Sequence, residues 1–170
     1  TLEVARRFLE PRRERFRRIV LERQENQGVS AASNAVIAAC QGEWVHLLGS
    51  DDVLYPDKVA RIQQAIADWD CPDLALVHAD ADTIDQHGRP VVRRRQKPRP
   101  APGPDREAWR VLFLGDNFIV NPTVALRRDA FLAVSGFDRN LALEDIDCWL
   151  RLSARHAIAR VPEVLASYRK

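Results

Sequence analysis

The chain has 170 residues, 46% hydrophobic and 29% charged, with 26 basic against 24 acidic side chains and a formal net charge of +2. A chain of this length buries roughly 70% of the surface it exposes when unfolded, so its core needs no staple, and the composition excludes disordered, collagen-like and disulfide-scaffold proteins. The charge is too small to argue for nucleic acid, apolar runs such as Val36–Cys40 and Val111–Leu114 fall short of the ~20 residues of a membrane span, and three cysteines without C-x-x-C spacing read as buried thiols in a reducing compartment.

Leu2 to Leu9 is predicted as a helix with Val4, Ala5, Phe8 and Leu9 on one face, limited by Pro11. Seven Arg fall within the first 18 residues, but Glu3, Glu10 and Glu14 interleave with them, which is the pattern of a solvated helix face rather than a polyanion site. Arg18–Glu22 holds Ile19, Val20 and Leu21 and reads as a short strand, with turn chemistry at Asn26–Gly28. A second helix is predicted over Ser30–Gln41, capped by Ser30 and ended by Gly42. Trp44–Leu48 reads as a buried strand broken only by His46. A third helix follows, with Pro56 in its first turn and Val59, Ile62, Ile66 and Trp69 on its apolar face. Leu74–Ala79 is again strand-like, and this alternation points to an α/β domain with a largely parallel central sheet.

Gln86–Gly88 reads as a turn and Val91–Val92 as a short strand. The basic run Arg93, Arg94, Arg95 and Lys97 then meets prolines at 98, 100, 102 and 104, which favours an extended surface loop. Helices are predicted at Glu107–Leu114, Asp129–Val134 and Glu144–Ala154, with loop and strand over Asn117–Leu126 and a turn at Gly136-Phe137-Asp138. No internal repeat is present, so one domain spans 1–170.

Asp51 and Asp52 stand just past a strand end, where ligands bind in open α/β sheets. Adjacent carboxylates on a loop suit a hard divalent cation that neutralises a diphosphate, because Mg²⁺ takes one or two protein carboxylates and its other ligands from phosphate and water. The same residues also suit a plain turn before Pro56, and the pair alone leaves both readings open. Glu144 and Asp145 open a helix whose dipole accounts for one of them. Asp147 and Arg151 read as an i,i+4 pair on the solvent side. Asp145, at the border of the face bearing Trp149 and Leu152, is placed as a general base. Asp80, Asp82, Asp85 and Gly88 do not make an EF-hand, since Ile84 stands where an oxygen ligand is needed; Asp80 and Asp82 read as a solvated rim. No metal-ligand spacing links the histidines, and no P-loop, G-x-G-x-x-G, G-x-S-x-G or H-E-x-x-H occurs.

Four segments in order, RQENQGVSAASNAVIAACQGEWV, HLLGSDDVLYPDKV, NFIVNPTVALRRDAFLAVSGFD and LEDIDCWLRLSARH followed by PEVLASYR, span nearly the whole chain. Through them the chain resembles the family 2 glycosyltransferases, inverting enzymes of the GT-A, nucleotide-diphosphosugar transferase fold. The resemblance implies a three-layer α/β/α sandwich with a mainly parallel central sheet and its first strands missing, in keeping with a chain that starts at Thr1 and holds no Met. Residues 1–92 would be the nucleotide- and metal-binding part, 93–105 a flexible loop and 106–170 the acceptor side. Asp51 would hold Mn²⁺ or Mg²⁺ against the sugar diphosphate with Asp52 supporting it. Asn26, Gly28 and Asn34 would contact the donor, Asp145 would deprotonate the acceptor hydroxyl, and Glu144 would orient it.

The implied partners are a nucleotide-diphosphate sugar and a saccharide or lipid-linked acceptor, with no nucleic acid. The implied setting is bacterial cell-surface polysaccharide or glycolipid assembly, in the cytoplasm or at the inner face of the plasma membrane with peripheral membrane association. Gly49 stands where many members carry the first Asp of D-x-D, Ser33 where Arg is usual and Val36 where Gly is usual. A donor-incompetent GT-A-like binding module is therefore the alternative, and nucleic-acid binding through Arg93–Arg99 ranks last.

Overall fold

The computed structural model describes residues 2–91, 100–114 and 117–170. Helix α1 (Leu2–Leu9) runs into a 3-10 turn at Glu10–Arg15 where Pro11 stops it, and α2 covers Val29–Ala39. Strands β1 (Trp44–His46) and β2 (Val53–Leu54) precede α3 (Lys58–Trp69) and the long β3 (Leu74–Ile84). After β4 (Gly103–Asp105) and α4 (Ala108–Phe113), a 3-10 turn at Asn121–Thr123 leads into β5 (Ala125–Arg127) and α5 (Arg128–Ala133). Helix α6 (Glu144–Ser153) then returns the chain to β6 (Ala157–Arg169).

These strands form one sheet in the order β1-β5-β3-β6-β2, with β4 also on β6. The expected mainly parallel sheet is in fact mixed: β3 and β6 pair in parallel, and every other pair is antiparallel. Strands β1, β3 and β6 do run the same way, but β5 inserts against the grain between β1 and β3. Strand β5 follows the 3-10 turn at Asn121–Thr123 and runs opposite to both its neighbours.

The three layers follow from strand alternation. Leu76, Leu126 and Ile158 face α2, α4, α5 and α6 through Ile37, Leu112, Phe131, Trp149 and Leu152. Val77, Ala125 and Ala159 face the other way, onto Ile62, Ile66 and Trp69 of α3. Val59, expected on that buried face, is 47% exposed. The segment expected as a strand at Arg18–Glu22 is irregular, because no described strand offers it a ladder partner, although the Arg18 guanidinium donates to Ala39 O at 3.1 Å. Helix α2 begins after Gly28 without a Ser30 cap, and Ser30 is itself buried. Val92 and the basic run through Arg99 lie outside the described residues.

The connection Cys40–Glu43 joins α2 to β1, and Ala154–His156 joins α6 to β6. A short connection turns each helix back on the strand it feeds, and α6 packs on β6. Their N-termini therefore lie toward the carboxyl edge of the sheet, the edge from which the Asp51–Asp52 loop leaves β1.

Candidate functional site

Strand β6 fixes the acidic loop from its far end. The Arg169 N–H donates to Asp52 Oδ1 at 2.9 Å, Arg169 Nε donates to the Asp51 carbonyl at 2.7 Å, and the same guanidinium reaches Asp85 O at 2.6 Å. Burial pushes the Asp52 carboxyl above its usual range, against the Arg169 N–H that lowers it, and the Asp51 charge pushes the same way as burial. Asp51 is exposed, and its carboxylate has no donor among the described residues. Among those residues no cluster of three or more His, Cys, Asp or Glu side chains could hold a metal. One free carboxylate beside one that is held fits a hard cation completing its shell with diphosphate and water, and does not fit an all-protein cage.

Two further groups stand out: Lys58, which the sequence did not single out, and His46, read there as the one break in an apolar strand. Lys58, at the start of α3, is fully buried, and its ammonium donates to Val124 O at 3.3 Å. Burial lowers its pKa from 10.5 to about 8. Both ring nitrogens of His46 are buried without a hydrogen-bond partner among the described residues. Burial, with the Lys58 charge added to it, lowers the His46 pKa to about 4, so the ring is neutral. His46 and Trp44 border an open cavity of about 930 Å³ between residues 15–24, α2 and β1. That cavity is lined by none of Asp51, Asp52, Glu144 and Asp145, so size alone does not locate the chemistry.

At the other side of the site, Asp145 is half-buried in the first turn of α6. Its Oδ1 accepts the Ile146 N–H at 2.7 Å, and its Oδ2 accepts Asn117 Nδ2 at 3.1 Å. Glu144 is also half-buried. Asp147 and Arg151 form the expected pair, but this is no simple solvent-side contact. Both side chains are 33% exposed, and Arg151 also donates to Val134 O and, at 2.7 Å, to Gly136 O, so it ties α6 to the preceding turn.

The residues expected to contact a donor divide by position. Asn26 and Gly28 are exposed at the entry to α2, where Asn26 Oδ1 accepts the Gly28 N–H at 3.2 Å and Gly28 takes a φ of +88°. Asn34 lies a turn further in, and its carboxamide brackets Phe137, donating to Phe137 O at 2.8 Å and accepting from Phe137 N at 3.0 Å. That bracket, with a bond from Arg139 to Gln27, links the entry of α2 to the loop that leads into Glu144 and Asp145. Asp80 is no solvated rim: Arg160 holds it with two bonds of 3.0 and 2.8 Å, both side chains nearly buried, while Asp82 is exposed and accepts the Tyr55 hydroxyl at 2.7 Å. No helix among the described residues is long and apolar enough to cross a membrane.

The sequence profile of the family described as "Glycosyl transferase family 2" matches residues 1–134. The chain is 26% identical over 153 residues to the amylovoran biosynthesis glycosyltransferase AmsE of Erwinia amylovora, covering 89% of this chain and 54% of that protein. It is 32% identical over 164 residues to the O-antigen biosynthesis protein RfbC of Myxococcus xanthus, covering 94% of this chain and 12% of that one. It thus spans about half of the first relative and a small part of the second. Its fold matches that of S. aureus TarS 1-349 in complex with UDP-GlcNAc, with a TM-score of 0.69, 14% identity and 98% of this chain covered against 46% of the other. It also matches the mannosyltransferase PcManGT of Pyrobaculum calidifontis in complex with GDP-Man and Mn²⁺, with a TM-score of 0.66, 18% identity and 98% covered against 43%. The expected GT-A-type α/β sandwich is therefore present, with a mixed sheet.

Proposed function

The chain belongs to glycosyl transferase family 2, and from that membership we propose that it is the catalytic part of an inverting glycosyltransferase moving a sugar from a nucleotide-diphosphate donor to a hydroxyl acceptor. The observations that support this reading are an acidic loop after β1 braced by Arg169 and a half-buried carboxylate at the start of α6 whose two oxygens are each held by one donor.

In this reading Asp51 holds the divalent cation, Mn²⁺ or Mg²⁺, and Asp52, fixed by Arg169, supports it. When bound, the cation neutralises the negative charge that grows on the departing diphosphate. Asn26 and Gly28 lie where the donor passes the start of α2, while Asn34 keeps that helix in register with the acceptor-side turn. The acceptor oxygen attacks the anomeric carbon as the bond from that carbon to the diphosphate oxygen breaks. Asp145 takes the hydroxyl proton, Glu144 orients the acceptor, and a single displacement from the opposite face inverts the centre.

The names of the relatives support a role in surface polysaccharide assembly. Phe113 and Leu114 at the end of α4, 73% and 83% exposed, and Leu143 just before α6, 66% exposed, support a lipid-linked acceptor met at the inner face of the membrane. The test is donor turnover by the intact gene product with Mn²⁺ across UDP-, GDP- and dTDP-sugars. Asp145→Asn should cut turnover by about 10²- to 10⁴-fold while retaining metal-dependent donor binding by calorimetry, and Asp51→Ala should lose both. Unchanged turnover in both variants refutes the assigned roles.

A further inference from the structure

The geometry points to Asn117 as the positioning residue that aims the carboxylate of Asp145, an inference that rests on Asp145 being the base. Asn117 lies 28 positions from Asp145 in the chain, where the polypeptide has left α4 and approaches the Asn121–Thr123 turn. Its carboxamide makes two bonds of opposite sense. The oxygen accepts the Ile119 N–H at 3.1 Å, closing a local turn, and Nδ2 donates to Asp145 Oδ2 at 3.1 Å. The amide orientation is fixed by chemistry, because a backbone N–H can only face the oxygen and a carboxylate can only face the NH₂.

The support behind this carboxamide is rigid. Ile119 is 4% exposed and belongs to the main core, and the Phe118 ring packs on His78 with centroids 5.3 Å apart. On the Asp145 side, Oδ1 is occupied by the Ile146 N–H at 2.7 Å. One donor on each oxygen sets the plane of the carboxylate from two directions, and a second lone pair on Oδ2 remains for an incoming hydroxyl. A base free to rotate would spend much of its time misaimed. Holding a catalytic group in its productive orientation is the kind of contribution that appears in turnover rather than in donor affinity.

Asn117→Asp separates this role from a merely local one. The substituted carboxylate still accepts the Ile119 N–H and so keeps the turn, but it faces Asp145 with a like charge in place of a donor. Asn117→Ala removes both bonds. In the intact gene product, with whichever UDP-, GDP- or dTDP-sugar is turned over, Asn117→Asp should lower kcat for nucleoside-diphosphate release by about 10-fold or more, with donor KM within about 2-fold. Asn117→Ala should lower kcat less, and in an Asp145→Asn background neither change should cost anything further. If Asn117→Asp turns over like the parent while Asp145→Asn is strongly impaired, the positioning role is wrong and the base assignment stands. Equal losses with and without Asp145, or losses confined to KM and thermal stability, also overturn it. Full turnover in Asp145→Asn overturns the base assignment and the positioning role together.

Discussion

Lys58→Met should make the protein more stable at neutral pH. The ammonium of Lys58 is fully buried, with the Val124 carbonyl as its one hydrogen-bond acceptor among the described residues. A pKa moved from 10.5 to about 8 means that keeping the charge in the fold costs about 3 kcal/mol at pH 7. Methionine has nearly the same length and no charge, so it removes that cost while filling the same space. The lost hydrogen bond offsets about 1 kcal/mol, and Val124 O is not orphaned, because Leu47 N also donates to it at 3.3 Å. The net gain is about 2 kcal/mol, or a rise in melting temperature of roughly 4 to 8 °C for a chain of this size. The pH dependence gives a second check. The folded-state pKa lies below the unfolded one, so between about 8 and 10.5 the unfolded chain binds more protons and parental stability rises with pH. In Lys58→Met that rise should be absent, and the two proteins should converge near the upper end of the window. Thermal and urea melts from pH 7 to 10.5 measure both effects. A variant less stable than the parent at pH 7, or a parent whose stability is flat through the window, refutes the reasoning.

Removing one partner of the Asp80–Arg160 pair strands a nearly buried charge, so Asp80→Ala should destabilise by about 3 kcal/mol, read as a shift in urea midpoint at unchanged slope. Gly136 has a φ of +65°, and a Cβ there would meet Asn34 Oδ1 at 2.7 Å and the Phe131 ring at 3.0 Å, so Gly136→Ala should cost about 2 kcal/mol or more by the same assay. Burial pushes the Cys148 thiol up to about 12, so a thiol reagent at pH 8 should leave Cys148 unmodified in the native protein and label it once urea unfolds the chain, as peptide mapping would report. Below pH 6.5 the unfolded chain protonates His46 before the folded one does, so the stability contributed by the neutral ring, about 3 kcal/mol, should be lost as pH falls toward 4, and His46→Phe should flatten that part of the melting profile.

Periodicity located the helices well: α1 and α6 match their predicted spans to within about one residue, and α3 carries its predicted apolar residues but starts at Lys58, so Pro56, expected in its first turn, lies in the turn before it. Strand β6 was not legible in the same way. It is the longest described strand and lies inside the sheet between β3 and β2, yet Pro162 interrupts its alternation. The structure resolves the conflict with a skipped register: Ala79 pairs with Val161 and Asp80 with Val164, so Pro162 falls outside the ladder and its missing N–H costs nothing. At the candidate site, the carboxylates stand out in the sequence because they form acidic pairs at a strand end and a helix start. Asn117, Lys58 and Arg169 do not, because each matters only through a partner 28, 66 or 117 positions away. Asp80 misled for the same reason, its charge being matched by Arg160 across the parallel pair.

Gly49 changes meaning once the loop is seen. From the sequence it marks a missing carboxylate. A Cβ at this position would lie 3.0 Å from Asp52 Oδ2 and 3.1 Å from Asp51 Oδ1, so both remaining carboxylates already fold over the glycine. A third carboxylate there would displace at least one of them and add a like charge in contact with a pair that already raises the Asp52 pKa. The brace from Arg169 holds Asp52 in place but donates nothing to the Asp51 carboxylate. In the proposed mechanism those contacts divide the labour: Asp52, held by Arg169, keeps the loop closed, and Asp51 would be the residue to meet a cation. The glycine is what lets two acidic side chains share so short a loop, since any side chain at position 49 would compete with them for the same space.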